Sequence, residues 1–351
     1  MKKIIAVILL IVYCLFFIWI LRYITDRPLT LLLAVLLSIP FMTITHELGH
    51  LVFGLMTGYR LFSFRIFSLE LYRESEKWKF RKKKTVSSVG QCLMAPPEKI
   101  GSDYPYRLYH LGGIFLCAFL SLIPIVISLF FIHHPLFGMP LFFFGFMSFA
   151  MNLLNAIPTS GKAMSNDATN VRMAKTSEAG KIALWNQLTY LHLHFQKIRP
   201  ADMPRDIFFQ PKTEDLGNIL VQWQILANVE YLEDCGEYEK AWETVNFILK
   251  NAPFLPTSYR NRFQIEFVYL GTLLDIDDFR IDDYYLTLVK RDNLKNIPSY
   301  QRMCFSYLLL RKKDSSAADA AYKIYTDNLK KSSSDDVRTE YGQLEKLESL
   351  M

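Results

Sequence analysis

Cysteine is scarce in this chain, and no pair of cysteines has the spacing of a thiolate metal site. The five cysteines among 351 residues lie far apart, and no C-x-x-C sequence occurs. The sequence therefore indicates neither a disulfide framework nor a metal site made of cysteines. We expect reduced thiols, because most of the polar chain is predicted below to face the cytoplasm.

Charged residues are missing from four long stretches of the N-terminal half. No Asp, Glu, Lys or Arg occurs in residues 4–21, 28–45, 111–132 and 135–161. Since roughly 20 apolar residues in a helix cross a bilayer core, we predict transmembrane helices at about residues 4–21, 28–57, 111–132 and 137–157. A signal peptide is not indicated for the first stretch, because the charged flank at residues 22–27 replaces a small-residue cleavage site.

The basic residues indicate how the helices are oriented. Eleven Lys or Arg lie between residues 58 and 110, including the run at 81–84, whereas the short connection at 133–135 has none. Because basic loops stay in the cytoplasm, we predict a multi-pass protein of the cell membrane with its N-terminus and C-terminal domain in the cytoplasm. The basic run is also compatible with a solvated turn that touches anionic headgroups. No nucleic-acid recognition motif accompanies it, so no nucleic-acid partner is predicted.

Polar segments of two kinds accompany the apolar stretches. From about residue 61 to 97 apolar and polar residues alternate, which predicts a β-hairpin or small sheet. After about residue 170 the chain reads as short helices, and Gly236, Tyr238, Ala241 and Pro253 resemble the second half of a tetratricopeptide repeat. An ordinary helical bundle is the alternative. We predict a mostly α fold in three parts: a membrane-embedded domain (1–170), a helical linker region (171–212) and a cytoplasmic α-helical, repeat-like domain (213–351).

The residues with the clearest chemical meaning lie in the second apolar stretch. His46 and His50 are part of an H-E-x-x-H sequence, which on a helix places both imidazoles on one face, where they can bind one zinc ion. Glu47 lies beside them as the candidate general base. Ionisable groups at membrane depth are costly and usually functional. The alternative is a pair of core histidines bonded to neighbouring helices, with Glu47 reaching the interface.

A catalytic zinc generally takes a third protein ligand. Parallel helices end at similar depth, so the end of the last apolar stretch is the place to search. Asp167 is the only acidic residue between Asp103 and Glu178 and is therefore the predicted third ligand. It could instead cap the helix that follows. His110, close to the start of the third stretch, is expected to be an interfacial residue.

These residues together resemble the site-2 protease family of intramembrane metalloproteases. In that family one span carries H-E-x-x-H and a later span carries N-x-x-P followed by Asp-Gly, whose Asp is the third zinc ligand. Asn155, Pro158 and Asp167 match the later elements, although Ala168 stands where the family has glycine. The likeness covers about residues 28–170. It implies a zinc endopeptidase, with Asn155 positioning the substrate.

We therefore predict an intramembrane zinc-dependent endopeptidase that cleaves membrane-spanning or membrane-anchored substrates near the cytoplasmic side. The predicted partners are the lipid bilayer, a membrane peptide substrate, and a protein or peptide bound by the helical domain. The alternative is a catalytically inactive family member that acts as a membrane-anchored binding or scaffold protein through its helical domain.

Overall fold

The structure is a computed structural model, and it describes residues 28–74, 77–83, 88–99, 102–131, 134, 137–159, 166–331 and 338–349. Within these ranges the chain forms twelve α-helices and one four-stranded antiparallel sheet. The mostly helical prediction with a small sheet is thus confirmed. The first predicted transmembrane helix, at residues 4–21, lies outside the described residues.

Among the described residues, three helices are long and apolar enough to cross a membrane: α1 (Pro28–Met56), α2 (Tyr106–Phe130) and α3 (Gly138–Ala156). They pack against one another, while many large apolar side chains on their outer surfaces stay exposed, as lipid-facing residues do. The second helix begins about five residues earlier than predicted. Its first turn is too polar for a hydropathy signal, yet it is helical, and its Tyr106, Tyr109 and His110 side chains are buried in the protein.

Small residues let these helices approach closely. A side chain at Gly49 would place its Cβ 2.3 Å from the backbone oxygen of Gly112, so α1 and α2 can cross at this distance only where both lack side chains. Helices α1 and α3 run in the same direction, because Ser38 contacts Ser148 and His46 contacts Asn152 in the same order along both. The predicted parallel arrangement of these two helices is therefore present.

The sheet follows α1 directly. Its strands are β1 (Arg60–Ile66), β2 (Leu69–Glu74), β3 (Lys77–Lys82) and β4 (Gly90–Ala95), and their order in space is β3-β2-β1-β4. Among the described strands β4 pairs only with β1, and it also packs against α1. Arg65, buried in β1, donates hydrogen bonds to Ser88 and thereby holds the turn that leads into β4.

The remaining helices form one continuous helical region. They are α4 (Asp167–Thr176), α5 (Glu178–Phe195), α6 (Ile219–Asp234), α7 (Tyr238–Asn251), α8 (Thr257–Leu273), α9 (Phe279–Leu288), α10 (Pro298–Ser306), α11 (Ser315–Lys331) and α12 (Arg338–Glu348). The turn between α6 and α7 contains Gly236 with a φ of +75°, a backbone conformation that favours glycine. A tetratricopeptide-like repeat and the three predicted domain boundaries stay predictions.

The helical region packs against the sheet. Trp185 of α5 donates a hydrogen bond to the backbone oxygen of Pro97 over 2.8 Å, and Tyr104 donates one to the backbone oxygen of Lys181 over 3.1 Å. One buried cluster of apolar side chains extends from Tyr59 through α5 to α12. The helical region is therefore held beside the end of α1 that carries the H-E-x-x-H sequence.

Candidate metal centre

Two imidazoles and one carboxylate meet near the end of α1. The Nε2 atoms of His46 and His50 are 3.1 Å apart, because residues four apart share one face of a helix. The Oδ2 atom of Asp167 lies 3.0 Å from His46 Nε2 and 3.4 Å from His50 Nε2. These three residues could hold a metal ion between them.

Helix α2 supplies the wall behind the two rings. A Cβ at Gly113 would lie 2.6 Å from His50 Nε2 and 2.9 Å from His46 Cε1. Any side chain there would occupy the space of the imidazoles. In α2, Gly112 therefore allows the close crossing with α1, and the adjacent Gly113 leaves space for the two imidazoles.

The second nitrogen of each imidazole has its own partner. His50 Nδ1 is 2.8 Å from the backbone oxygen of Tyr109, and His46 Nδ1 is 3.1 Å from Oδ1 of Asn152. The amide nitrogen of Asn152 donates to the backbone oxygen of Ile114 over 2.9 Å, which leaves its oxygen for His46. Both acceptors place a proton on Nδ1, which leaves the Nε2 atoms as the positions through which the imidazoles could bind a metal ion.

Asp167 is turned towards the histidines by the way α4 begins. Asn166 is the capping residue, and its side chain accepts a hydrogen bond from the backbone nitrogen of Thr169, as is typical of an N-cap. The interpretation of Asp167 as the cap is therefore wrong. Although burial raises the pKa of the Asp167 carboxyl, His50, His110 and His46 hold that pKa well below its usual value. The Asp167 carboxyl is thus ionised and could bind a metal ion through its oxygens.

Glu47 lies on the same helix between the two histidines and is 8% exposed. A Cβ at Gly90 would come within 2.5 Å of Glu47 Oε1. The first residue of β4 therefore approaches the carboxylate through its backbone alone. Among the described residues Glu47 accepts no hydrogen bond, so its oxygens are available to a ligand.

A cavity of about 850 Å³ connects these groups. His46, Glu47, His50 and Asp167 all contribute to its lining, and so does Asn155, the predicted substrate-positioning residue. Residues 88–93, which lead into and include much of β4, form a second part of its wall, and helices α5, α6 and α8 form a third. The size suits a ligand as large as a short peptide segment.

Two residues of the centre were not predicted. Asn152 had no motif of its own, although it lies one helical turn before Asn155 on an otherwise apolar helix. His110, expected at the membrane–water interface, is 5% exposed, and its Nδ1 is 3.9 Å from Asp167 Oδ1, a contact that the sequence did not predict. A polar side chain among apolar residues was the available signal in both cases.

The comparisons with known proteins add no identification. No protein-family model matches the chain, no curated protein is significantly similar to it, and no solved structure matches its fold. The function must therefore be inferred from the centre itself.

Proposed function

We propose that the protein is an intramembrane zinc endopeptidase whose metal ligands are His46, His50 and Asp167. The observation that carries the proposal is the triangle of their donor atoms, with edges of 3.0, 3.1 and 3.4 Å, at the end of a helix that could cross a membrane. This proposal also retains the resemblance to the site-2 protease family.

The donor set fits zinc by its chemistry and its spacing. With metal–ligand bonds of about 2.0 to 2.1 Å in a tetrahedron, neighbouring ligand atoms lie about 3.3 Å apart. The observed edges lie close to this value. Two imidazoles and one carboxylate also leave a fourth position open, which is the pattern of catalytic rather than structural zinc.

Glu47 is the proposed general base. Bound zinc supplies a Lewis acid that polarises the scissile carbonyl and makes water more acidic. Glu47 takes a proton from the attacking water, whose oxygen bonds to the carbonyl carbon. As the carbon–nitrogen bond breaks, Glu47 returns that proton to the leaving nitrogen, which becomes an amine. The second proton of the water stays on the new carboxyl group until that group ionises to a carboxylate.

Strand β4 is the proposed guide for the substrate backbone. A transmembrane helix hides its amides in internal hydrogen bonds, so it must unwind locally before cleavage. The edge of β4 borders the cavity, where an unwound segment can add as a strand. Gly90 brings this edge against Glu47, and Asn155 is proposed to hold the substrate carbonyl on the opposite wall.

Substitution of the proposed base tests this assignment. We expect Glu47→Gln to lower cleavage of a membrane peptide by about 10²- to 10⁴-fold, because it removes the proton acceptor and keeps the shape. One equivalent of bound zinc should remain. Glu98→Gln, at an exposed position outside the cavity lining, is the matched control. Undiminished cleavage by the Glu47→Gln protein would exclude this base.

The alternative of a non-catalytic binding protein makes different predictions. Ala168 stands beside Asp167 where the family has glycine. This departure is the feature that favours a protein whose metal site has lost its catalytic role. Such a protein would bind substoichiometric zinc, and Asp167→Ala would leave its zinc content unchanged. If instead the carboxylate of Asp167 binds zinc, the Asp167→Ala protein should lose most of its zinc.

A further inference from the structure

The helical region contributes to the lining of the cavity that holds the metal donors. Trp223 of α6 and Tyr259 and Arg262 of α8 all line it. Glu47 and the metal donors line the same cavity of about 850 Å³. A peptide that fills this cavity from the metal centre would therefore contact side chains of α6 and α8.

Arg262 is the one charged side chain that the described part of α5, α6 and α8 contributes to this lining. It is exposed and makes no ion pair or hydrogen bond with the described residues. Several buried or half-buried arginines of the helical region are paired, for example Arg280 with Asp278, Arg302 with Glu233, and Arg311 with Asp282. A guanidinium without a partner in a cavity is a ready site for a carboxylate, which it can hold by two parallel hydrogen bonds.

The neighbouring aromatic rings complete the subsite. Tyr259 is three residues before Arg262 and thus on the same helix face. Trp223 is partly buried and packs edge-on against Tyr190, with ring centroids 5.6 Å apart. Rigid aromatic side chains beside an arginine provide contact area for the apolar part of a ligand and lower the local polarity around an ion pair.

We propose that Arg262, with Trp223 and Tyr259, forms a subsite for a carboxylate of the peptide bound in the cavity. This inference rests on the proposed function and names its substrate class: peptides that carry an acidic side chain, or a free C-terminal carboxylate, on the portion that extends from the metal centre to the helical region. Both sources present the same group, and the experiment separates them.

Binding to the full-length Glu47→Gln protein in detergent micelles with zinc provides the test. The probe is a short fluorescent peptide of Leu, Val and Ser with one Glu and an amidated C-terminus. Two companions replace this Glu by Gln, one with an amidated and one with a free C-terminus. We expect about tenfold weaker binding of the amidated Gln peptide than of the Glu peptide, because one charge-assisted contact is lost. Tight binding of the free-acid Gln peptide identifies the chain terminus as a second source.

Substitution of Arg262 decides whether this residue is responsible. Arg262→Gln should remove the difference between the Glu and Gln peptides, and Arg262→Glu should favour a peptide with Lys instead. Arg260→Gln is the matched control, because Arg260 is exposed on the same helix but does not line the cavity. The subsite is overturned if Arg262→Gln retains the preference for Glu, or if none of the probes binds.

This experiment separates the subsite from the proposed hydrolysis, because binding is measured without cleavage. An Arg262-dependent preference in a protein whose wild-type form cleaves no peptide would support the subsite and contradict the endopeptidase proposal. Cleavage by the wild-type protein without any dependence on peptide charge or on Arg262 would do the reverse.

Discussion

Substitution of Asn152 by alanine should weaken metal binding without touching a metal donor. Asn152 is fully buried, and its side chain joins His46 to the backbone of α2 through contacts of 3.1 and 2.9 Å. Alanine leaves the Nδ1–H of His46 without an acceptor and the ring without a fixed orientation. Loss of such a partner behind a metal ligand typically costs about 10- to 100-fold in affinity, or about 1.4 to 2.7 kcal/mol.

The same substitution should also lower stability. Alanine removes the hydrogen bond to the backbone oxygen of Ile114 and leaves the buried Nδ1–H of His46 without an acceptor, and an unsatisfied buried group costs about 1 to 3 kcal/mol. Asn152→Asp separates the two effects. It keeps an oxygen for His46, so metal affinity should exceed that of the alanine variant, while its second oxygen repels the oxygen of Ile114 and stability still falls.

Zinc affinity can be measured by competition with a chelator in detergent micelles, and stability by thermal unfolding of the metal-free protein. Ser148→Ala is the matched control. Ser148 is buried one helical turn earlier and bonds to the backbone of Phe144, away from the metal donors. Asn155→Ala should also leave affinity unchanged, because Asn155 makes no hydrogen bond to either imidazole. If Asn152→Ala binds zinc as tightly as Ser148→Ala does, the assigned role of Asn152 is refuted.

Three further substitutions test other parts of the molecule. Gly49→Val should separate α1 from α2, since even a Cβ would approach the backbone oxygen of Gly112 to 2.3 Å. Zinc content and melting temperature should both fall, and a variant that retains both would contradict the close crossing. Asp167→Asn removes the ionised donor and should lower zinc affinity by at least tenfold, measured by the same competition. Arg302→Ala leaves the buried Glu233 and Glu266 carboxylates uncompensated and should cost about 3 to 5 kcal/mol of unfolding free energy at neutral pH. Burial already raises the pKa of both carboxyls. The stability of the Arg302→Ala protein should therefore decline as the pH rises above the unfolded pKa values of these carboxyls, and it should partly return on acidification. A loss of stability that does not depend on pH would argue against this cause.

Several features followed from local sequence. The uncharged stretches predicted the three described membrane-length helices, because crossing a bilayer requires length and apolarity that are visible residue by residue. Strict alternation predicted the sheet, since side chains in a strand point to opposite faces in turn. The spacing of His46 and His50 predicted their common face, because a helix repeats every 3.6 residues.

Other features depended on which residues the fold brings together. The sequence indicated Asn155 as the substrate-positioning residue, which stays a prediction, and did not predict that Asn152 bonds to His46. The rotation of α3 against α1, which brings Asn152 to His46, is set by packing and not by the periodicity of α3. The contact of His110 with Asp167 was not predicted for the same reason: hydropathy does not show which face of α2 is covered by α1 and α4.

Local sequence was enough to predict the helices, the strands and the two histidines, since each depends on short-range patterns along the chain. It also made Asp167 the candidate third ligand, but the contact of Asp167 with both imidazoles, 121 residues from His46 along the chain, and the place of α6 and α8 in the cavity lining are visible only in the folded structure. Contacts between distant segments depend on how glycine-lined helices cross and on the shared buried core. No local pattern encodes those two conditions.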